Sequence, residues 1–403
     1  MGKEPERCRK RLGGLPVKIA GIICEYNPFH LGHRYQLEQV RQRLTGEVGV
    51  VCLMSGNYVQ RGEPAIYDKW SRAEAAVRQG ADLVLELPIT AAVNAAGYFA
   101  AGAVDCLLGF GGIDYLCFGS EGKTAEDLMG TAQAIHSPEF EEALREALTQ
   151  GISYAKAREQ ALKALGGDGK CLATPNNALG VDYLRRLLER GSAIKPLVIP
   201  RDVTLPTASD IRELLEAGWQ DAGLHQVRLP EKPIHTLRYG ERAMLGVLKT
   251  LNDQQFRDMP FGSEGLWSKV MKACRQEMAL QDIILSCKTK RYTFSRLRRM
   301  LLCLFLGFSQ RDMEREIPYL RILAFNDRGR EILHQAKNCS AFPLVSGTAP
   351  QTEAAQTYFA LESRATDLYG LFVQPGVTEP AGREKRHVPV YVKTNIQIGP
   401  PVR

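Results

Sequence analysis

Lys18-Ile-Ala-Gly-Ile-Ile-Cys-Glu-Tyr-Asn-Pro-Phe-His-Leu-Gly-His33 is the stretch whose reading decides the fold. Its apolar run, residues 19–24, predicts a strand buried on both faces, as in a parallel sheet. A polar turn follows, Glu25-Tyr26-Asn27-Pro28. Pro28 forbids helix continuation and biases Asn27 to extended backbone. Beyond the turn, Tyr35, Leu37, Val40 and Leu44 recur at helical spacing. The histidines of Phe29-His30-Leu31-Gly32-His33 therefore sit where a strand hands over to a helix. Exposed backbone N–H groups and the helix dipole favour an anion there. Gly32 lets a phosphate approach the backbone, and two imidazoles can donate to it as charge builds. The competing readings are a metal pair and a chance surface pair. No nearby Cys/His pair completes a ligand set, so no metal site is expected.

The same alternation continues outward. Residues 48–54 read as a second strand, running into the polar loop Asn57-Tyr-Val-Gln-Arg-Gly-Glu-Pro64. Open α/β sheets bind ligands at the carboxyl ends of their strands, which makes Ser55, Gln60, Arg61 and Lys69 candidate substrate-loop residues. Arg61 and Lys69 can equally be ordinary surface cations. Residues 69–78 read as a helix, 81–87 as a third strand, 97–108 as a helix. Residues 115–118 read as a fourth strand ending in Gly119-Ser120-Glu121. Residues 125–165 form a charged helical insertion. Thr174-Pro-Asn-Asn177 opens another helix, where Asn side chains usually cap. Residues 195–200 are a fifth strand with Arg201 at its end, a fixed cation suited to a triphosphate. Thr207-Ala-Ser-Asp-Ile-Arg212 starts the next helix.

This pattern predicts an α/β fold, a doubly wound parallel sheet followed by a mainly helical C-terminal domain. The expected division is a flexible basic extension over 1–17, a nucleotide-binding catalytic domain over 18–225, a helical domain over 226–373 and a peripheral tail over 374–403. A chain of 403 residues suits two domains. No apolar run approaches the ~20 residues of a membrane helix, and the basic N-terminus lacks the apolar core of a signal peptide. Ten cysteines without C-x-x-C pairs, among them Cys24, Cys52 and Cys117 in apolar runs, read as reduced small hydrophobes of a cytoplasmic protein. A net charge of +7 permits a nucleic-acid partner.

In the second half, Lys288-Thr-Lys-Arg-Tyr-Thr-Phe-Ser-Arg-Leu-Arg-Arg299 holds six Lys/Arg, and no acid falls between Asp282 and Arg311. Leu297, Leu301, Leu304 and Phe308 form the buried stripe of the helix that follows. Lys288, Lys290, Arg291, Arg296 and Arg299 are candidate RNA contacts, with Tyr292 available to stack on a base. The alternative is a solvated helix face.

Several blocks carry a resemblance. Glu25-Tyr-Asn-Pro-Phe-His-Leu-Gly-His33 resembles the HxGH element of the nucleotidyltransferase superfamily, related to class I aminoacyl-tRNA synthetases. Met54-Ser-Gly-Asn-Tyr-Val-Gln-Arg-Gly-Glu-Pro-Ala65, Lys69-Trp70, Asp82-Leu-Val-Leu-Glu-Leu-Pro88, Phe118-Gly-Ser-Glu121, Pro175-Asn-Asn177, Thr289-Lys-Arg-Tyr-Thr293 and Tyr319-Leu-Arg-Ile-Leu323 resemble the bacterial tRNA(Met) cytidine acetate ligase family. The resemblance implies an ATP site of Ile23, Glu25, Tyr26, Asn27, Pro28, Phe29, His30, Gly32, His33, Gly119, Asn176 and Arg201, with His30 and His33 catalytic. It implies ATP and acetate as substrates, Mg²⁺ bridging the phosphates, and elongator tRNA(Met) as partner. The expected reaction is acetyl-adenylate formation, then acetyl transfer to N4 of the wobble cytidine. Two departures stand out. The segment between Arg201 and Thr207 is short and lacks a Gly-rich, His-containing stretch, and Asp210 stands where Ser is usual. The alternatives are a small-molecule adenylyltransferase and a non-catalytic RNA-binding protein with a vestigial nucleotide fold.

Overall fold

The computed structural model describes residues 17–202, 204–218 and 232–393. Residues 1–16, the expected boundary at 225/226, and residues 394–403 lie outside the described residues. Five parallel strands come from the first half: β1 (Lys18–Cys24), β2 (Val48–Ser55), β5 (Leu83–Leu87), β6 (Tyr115–Ser120) and β7 (Lys195–Pro200). Between β2 and β5 a small antiparallel ribbon forms from β3 (Tyr58–Val59) and β4 (Glu63–Pro64). In the main sheet the order is β5-β2-β1-β6-β7, so β1 pairs in parallel with β2 on one side and β6 on the other. The crossovers reverse direction between β1 and β6. A crevice opens at such a switch point, beyond the carboxyl ends of the strands. All eight residues of β2 are buried, as the apolar runs of a doubly covered sheet require. Helices Ala96–Phe110, Ala125–Ile135 and Pro175–Glu189 cover one face. Leu31–Arg43 and Lys69–Arg78 cover the other.

The second half is mainly helical, as expected, and it also adds strands to the sheet. β8 (Leu320–Phe325) adds to the sheet antiparallel to β5, β9 (Leu344–Val345) pairs with β8, and β10 (Val390–Tyr391) extends the same edge. An unpaired β5 would be an open edge, and the buried side chains of Leu320, Leu323 and Ala324 supply its cover. The segment from 374 is not peripheral either, because Glu384 is fully buried. The helical expectation does hold for residues 237–306. Their helices build a second core from Met244, Leu248, Val270, Ile283, Leu297, Leu301 and Leu304, joined by Tyr58, Ile89 and Val93 of the first half. Among the described residues, eight cysteines are free. Cys339 departs from the expected reduced state and is disulfide-bonded, a pairing that no local Cys spacing signals. No helix among the described residues is long and apolar enough to cross a membrane.

Candidate active site

At the end of β1 the chain turns sharply, and Tyr26 sits at φ 46°, a left-handed conformation bulky residues rarely adopt. The turn is pinned from several sides. Arg72, 1% exposed, donates to the carbonyls of Glu25, Ser55 (3.1 Å), Gly56 and Tyr67 (2.9 Å), so one guanidinium ties the ends of β1 and β2 together. Asn27 Oδ1 accepts from Ile66 N–H at 2.7 Å, and Asn27 O accepts from Arg212 at 2.6 Å.

His30 is the N-cap of helix Leu31–Arg43. Its Nδ1 accepts from Gly32 N–H at 3.0 Å, and His33 Nδ1 accepts from His30 N–H at 3.3 Å. This is a capping box in which histidines replace the usual hydroxyl and carboxylate. Accepting at Nδ1 assigns the proton of each neutral ring to Nε2. The rings lie 3.8 Å apart, centroid to centroid. Burial chiefly, then His30 and Arg201, pull His33 well below the ordinary histidine range, so it stays neutral near neutral pH. A Cβ on Gly32 would come within 2.9 Å of His30 Cε1. Gly32 is thus needed to let His30 fold back over its own helix, a closer constraint than phosphate access.

The histidines open onto a cavity of about 510 Å³ at the switch point. Ile23, Glu25, Tyr26, Asn27 and Gly32 line it from the first loop. Gln60 and Arg61 line it from the second, and Gly119, Asn176 and Arg201 from the far side. Four expected residues do not line it. Phe29 is buried beneath, against Tyr26 and His33, and Pro28 sits in the turn. Ser55 is fully buried. Lys69 belongs to a buried charge cluster, with Nζ 2.7 Å from Glu86 and 2.8 Å from Glu384. A lysine opening a helix after a strand resembles a ligand-binding cation. The carboxylates that claim it come from distant positions.

Glu121 organises the far wall. Its Oε1 accepts from Arg201 at 2.9 Å and from Asn176 Nδ2. Its Oε2 accepts from Thr174 Oγ1 at 2.9 Å and Asn177 N–H at 3.3 Å, capping helix Pro175–Glu189 from outside. Burial penalises its charge, but the bonds from Arg201, Asn176 and Thr174 hold its carboxyl below the usual range. Phe118, Tyr183, Asp202, Ser209 and Arg212 also line the cavity. Glu121, Ser209 and Arg212 stand inside blocks the sequence reading singles out. Nothing local marks Tyr183.

The basic segment is not one open stripe. Arg299, 6% exposed, donates to Gln60 O at 3.1 Å, lies over the Phe261 ring, and is pushed down to about 10 by burial. Arg298 pairs with Glu63, Arg291 with Glu264 at 2.6 Å, and Arg296 donates to Phe261 O at 2.7 Å. Acids from other parts of the fold supply the balance that the local sequence lacks. Gly62, at φ 80°, lets this contact form, since a Cβ there would reach 2.5 Å from Arg299 N. Lys290 and Arg291 are exposed.

Fold and site define a nucleotidyltransferase of the HIGH type, a His-x-Gly-His element at the switch point of a parallel sheet. The family model described as HIGH Nucleotidyl Transferase matches residues 17–384. The chain is 34% identical to tRNA(Met) cytidine acetate ligase of Acetivibrio thermocellus over 408 residues, covering 91% of this chain and 98% of that one. It is 38% identical to the protein of that name from Caldanaerobacter subterraneus over 388 residues, covering 88% and 95%. Its fold matches Thermotoga maritima TmcAL, in a crystal structure with alpha-thio ATP bound, at a TM-score of 0.85 and 30% identity, over 94% of this chain and 100% of that one. The chain belongs to the tRNA(Met) cytidine acetate ligase family.

Proposed function

We propose that this chain activates acetate with ATP and transfers the acetyl group to N4 of the wobble cytidine of elongator tRNA(Met). Acetate is a poor electrophile, and adenylation gives it a good leaving group. The acetate oxygen attacks the α-phosphorus, and pyrophosphate departs. His30 and His33, each with a proton on Nε2, donate to the α-phosphate oxygens as charge accumulates. Asn176 and Arg201, oriented by Glu121, hold the nucleotide. Arg61 is the exposed cation of the second loop and suits the carboxylate. Gln60 holds the wall through its backbone, its amide being tied to Asn94 O at 3.3 Å. Mg²⁺ is proposed as a companion of the triphosphate. Among the described residues no group of three or more His, Cys, Asp or Glu is arranged to hold a metal; the phosphates would supply its ligands.

One observation carries the tRNA half of this reading. The loop that lines the cavity, at Gln60 and Arg61, is the loop on which the basic helix Phe294–Leu306 is seated through Arg299 and Arg298. Exposed Lys290 and Arg291 immediately precede that helix and would serve as its phosphate-binding cations. A small-molecule adenylyltransferase has no use for that surface, and an RNA-binding protein alone has none for the histidine pair. The work of such an enzyme lies in the cytoplasm, where its tRNA is. Pyrophosphate release from ATP, measured with and without acetate and with and without tRNA, tests the reading. Acetate-dependent release with tRNA acetylation supports it. Release that needs another acceptor, or none at all, overturns it.

A further inference from the structure

Acetyl transfer to a cytosine amine has a requirement that adenylation lacks. The N4 lone pair forms a bond to the carbonyl carbon, the carbon–oxygen bond to the phosphate breaks, and AMP leaves. The product is a neutral amide, so one proton must also leave nitrogen. The acceptor must be found inside the cavity.

Most groups lining the cavity are unsuited. His30 and His33 already carry a proton on Nε2 and spend Nδ1 on backbone N–H groups. Both oxygens of Glu121 are engaged by four donors. Glu63 is paired with Arg298. Asp202 accepts twice from Thr204 at the open rim. Burial, the leading cause in each, keeps Cys24 and Tyr26 protonated.

We propose that Glu25 is the general base of acetyl transfer: its carboxylate takes the N4 proton as the C–N bond forms, and releases it to solvent with AMP. The proposal rests on the acetyl-transfer reading above. Glu25 leaves the end of β1 beside the histidine pair, at the switch point. Its Oε1 accepts from Gln60 N–H at 2.8 Å, which fixes the carboxyl, while Oε2 accepts no hydrogen bond from the described residues. Arg72 holds the Glu25 carbonyl, so the backbone beneath is rigid. Burial raises the Glu25 carboxyl, while Gln60 N–H, Arg72, Arg212 and Arg61 oppose the rise. A carboxylate lifted above its ordinary range is a better proton acceptor.

The test supplies acetyl-adenylate directly, so the first step is bypassed, and follows single-turnover transfer to elongator tRNA(Met). Glu25→Gln is expected to slow transfer ~100-fold, the usual scale of a lost general base. The wild-type rate should rise with pH through the raised carboxyl pKa. Glu25→Asp should keep that rise at a lower rate, and Glu25→Gln should abolish it. Transfer by Glu25→Gln at the wild-type rate, or a wild-type profile flat across the acidic limb, overturns the proposal and leaves the acetylation reading standing. Wild-type protein that transfers nothing from acetyl-adenylate overturns the acetylation reading and this proposal with it.

Discussion

Lys69 Nζ lies 2.8 Å from Glu384 Oε2, joining residues 315 positions apart where both side chains are closed to solvent. Glu86, Arg321 and Glu362 complete the cluster, with Arg321 Nε 2.8 Å from Glu384 and Thr366 Oγ1 donating to it at 2.6 Å. The C-terminal segment is thereby bolted to the edge of the catalytic sheet. Removing one partner leaves an uncompensated buried charge, which costs about 3–5 kcal/mol. Lys69→Met and Glu384→Ala should each destabilise the protein by that order in urea unfolding. A loss below about 1 kcal/mol, the scale of an exposed pair, would show the cluster to be open to water.

The cluster holds three carboxylates against two cations, and Glu362 is pushed up to about 7 by burial first and Glu86 next. A carboxyl raised on folding binds its proton more tightly in the native state. Its contribution to stability is full below the unfolded-state pKa and is lost as pH rises through about 7. Stability measured from pH 5 to 8 should fall across that window for wild type, and less for Glu362→Gln. Equal slopes in the two proteins would place the excess proton elsewhere in the cluster.

The five parallel strands and the His30–His33 turn were legible because buried parallel strands are continuous apolar runs and the turn's Pro and Gly punctuate locally. β8 was not legible, since residues 320–325 pair with β5 across more than half the chain and look locally like one more apolar stretch among helices. The same limit explains Lys69 and Arg299. Each reads as a ligand cation when only neighbours in sequence are seen. Glu86 and Glu384 claim the first, and Gln60 O and Phe261 the second. Glu121 stood in a quoted block, yet its role as organiser of Arg201 and Asn176 emerges only when three chain segments meet.

At the catalytic turn, Gly32→Ala should displace the His30 ring, because the new Cβ meets Cε1 at 2.9 Å. Adenylation should fall about as far as in His30→Ala, on the order of 10²–10³-fold, the scale of a lost transition-state donor. ATP affinity should change far less. Parallel measurement of pyrophosphate release and ATP binding checks this. A Gly32→Ala protein with normal turnover would mean the capping geometry is dispensable.

On the basic helix, exposed and buried cations should part company. Lys290→Ala with Arg291→Ala should weaken tRNA binding and flatten its salt dependence by about one unit per lost phosphate contact, with adenylation intact. Arg299→Ala should instead disturb the Gln60 wall and reduce adenylation without tRNA present. Binding across a salt series, run beside a tRNA-free assay, separates the two. Unaltered tRNA binding by the double variant would reduce the exposed pair to a solvated surface.

The most direct test of the central claim is mass analysis of tRNA nucleosides after incubation of the protein with ATP, isotopically labelled acetate and elongator tRNA(Met). The expected result is labelled N4-acetylcytidine at the wobble position, absent without ATP and absent from the His30→Ala, His33→Ala double variant. Unmodified cytidine with wild-type protein under those conditions, or label appearing equally with the double variant, would contradict it.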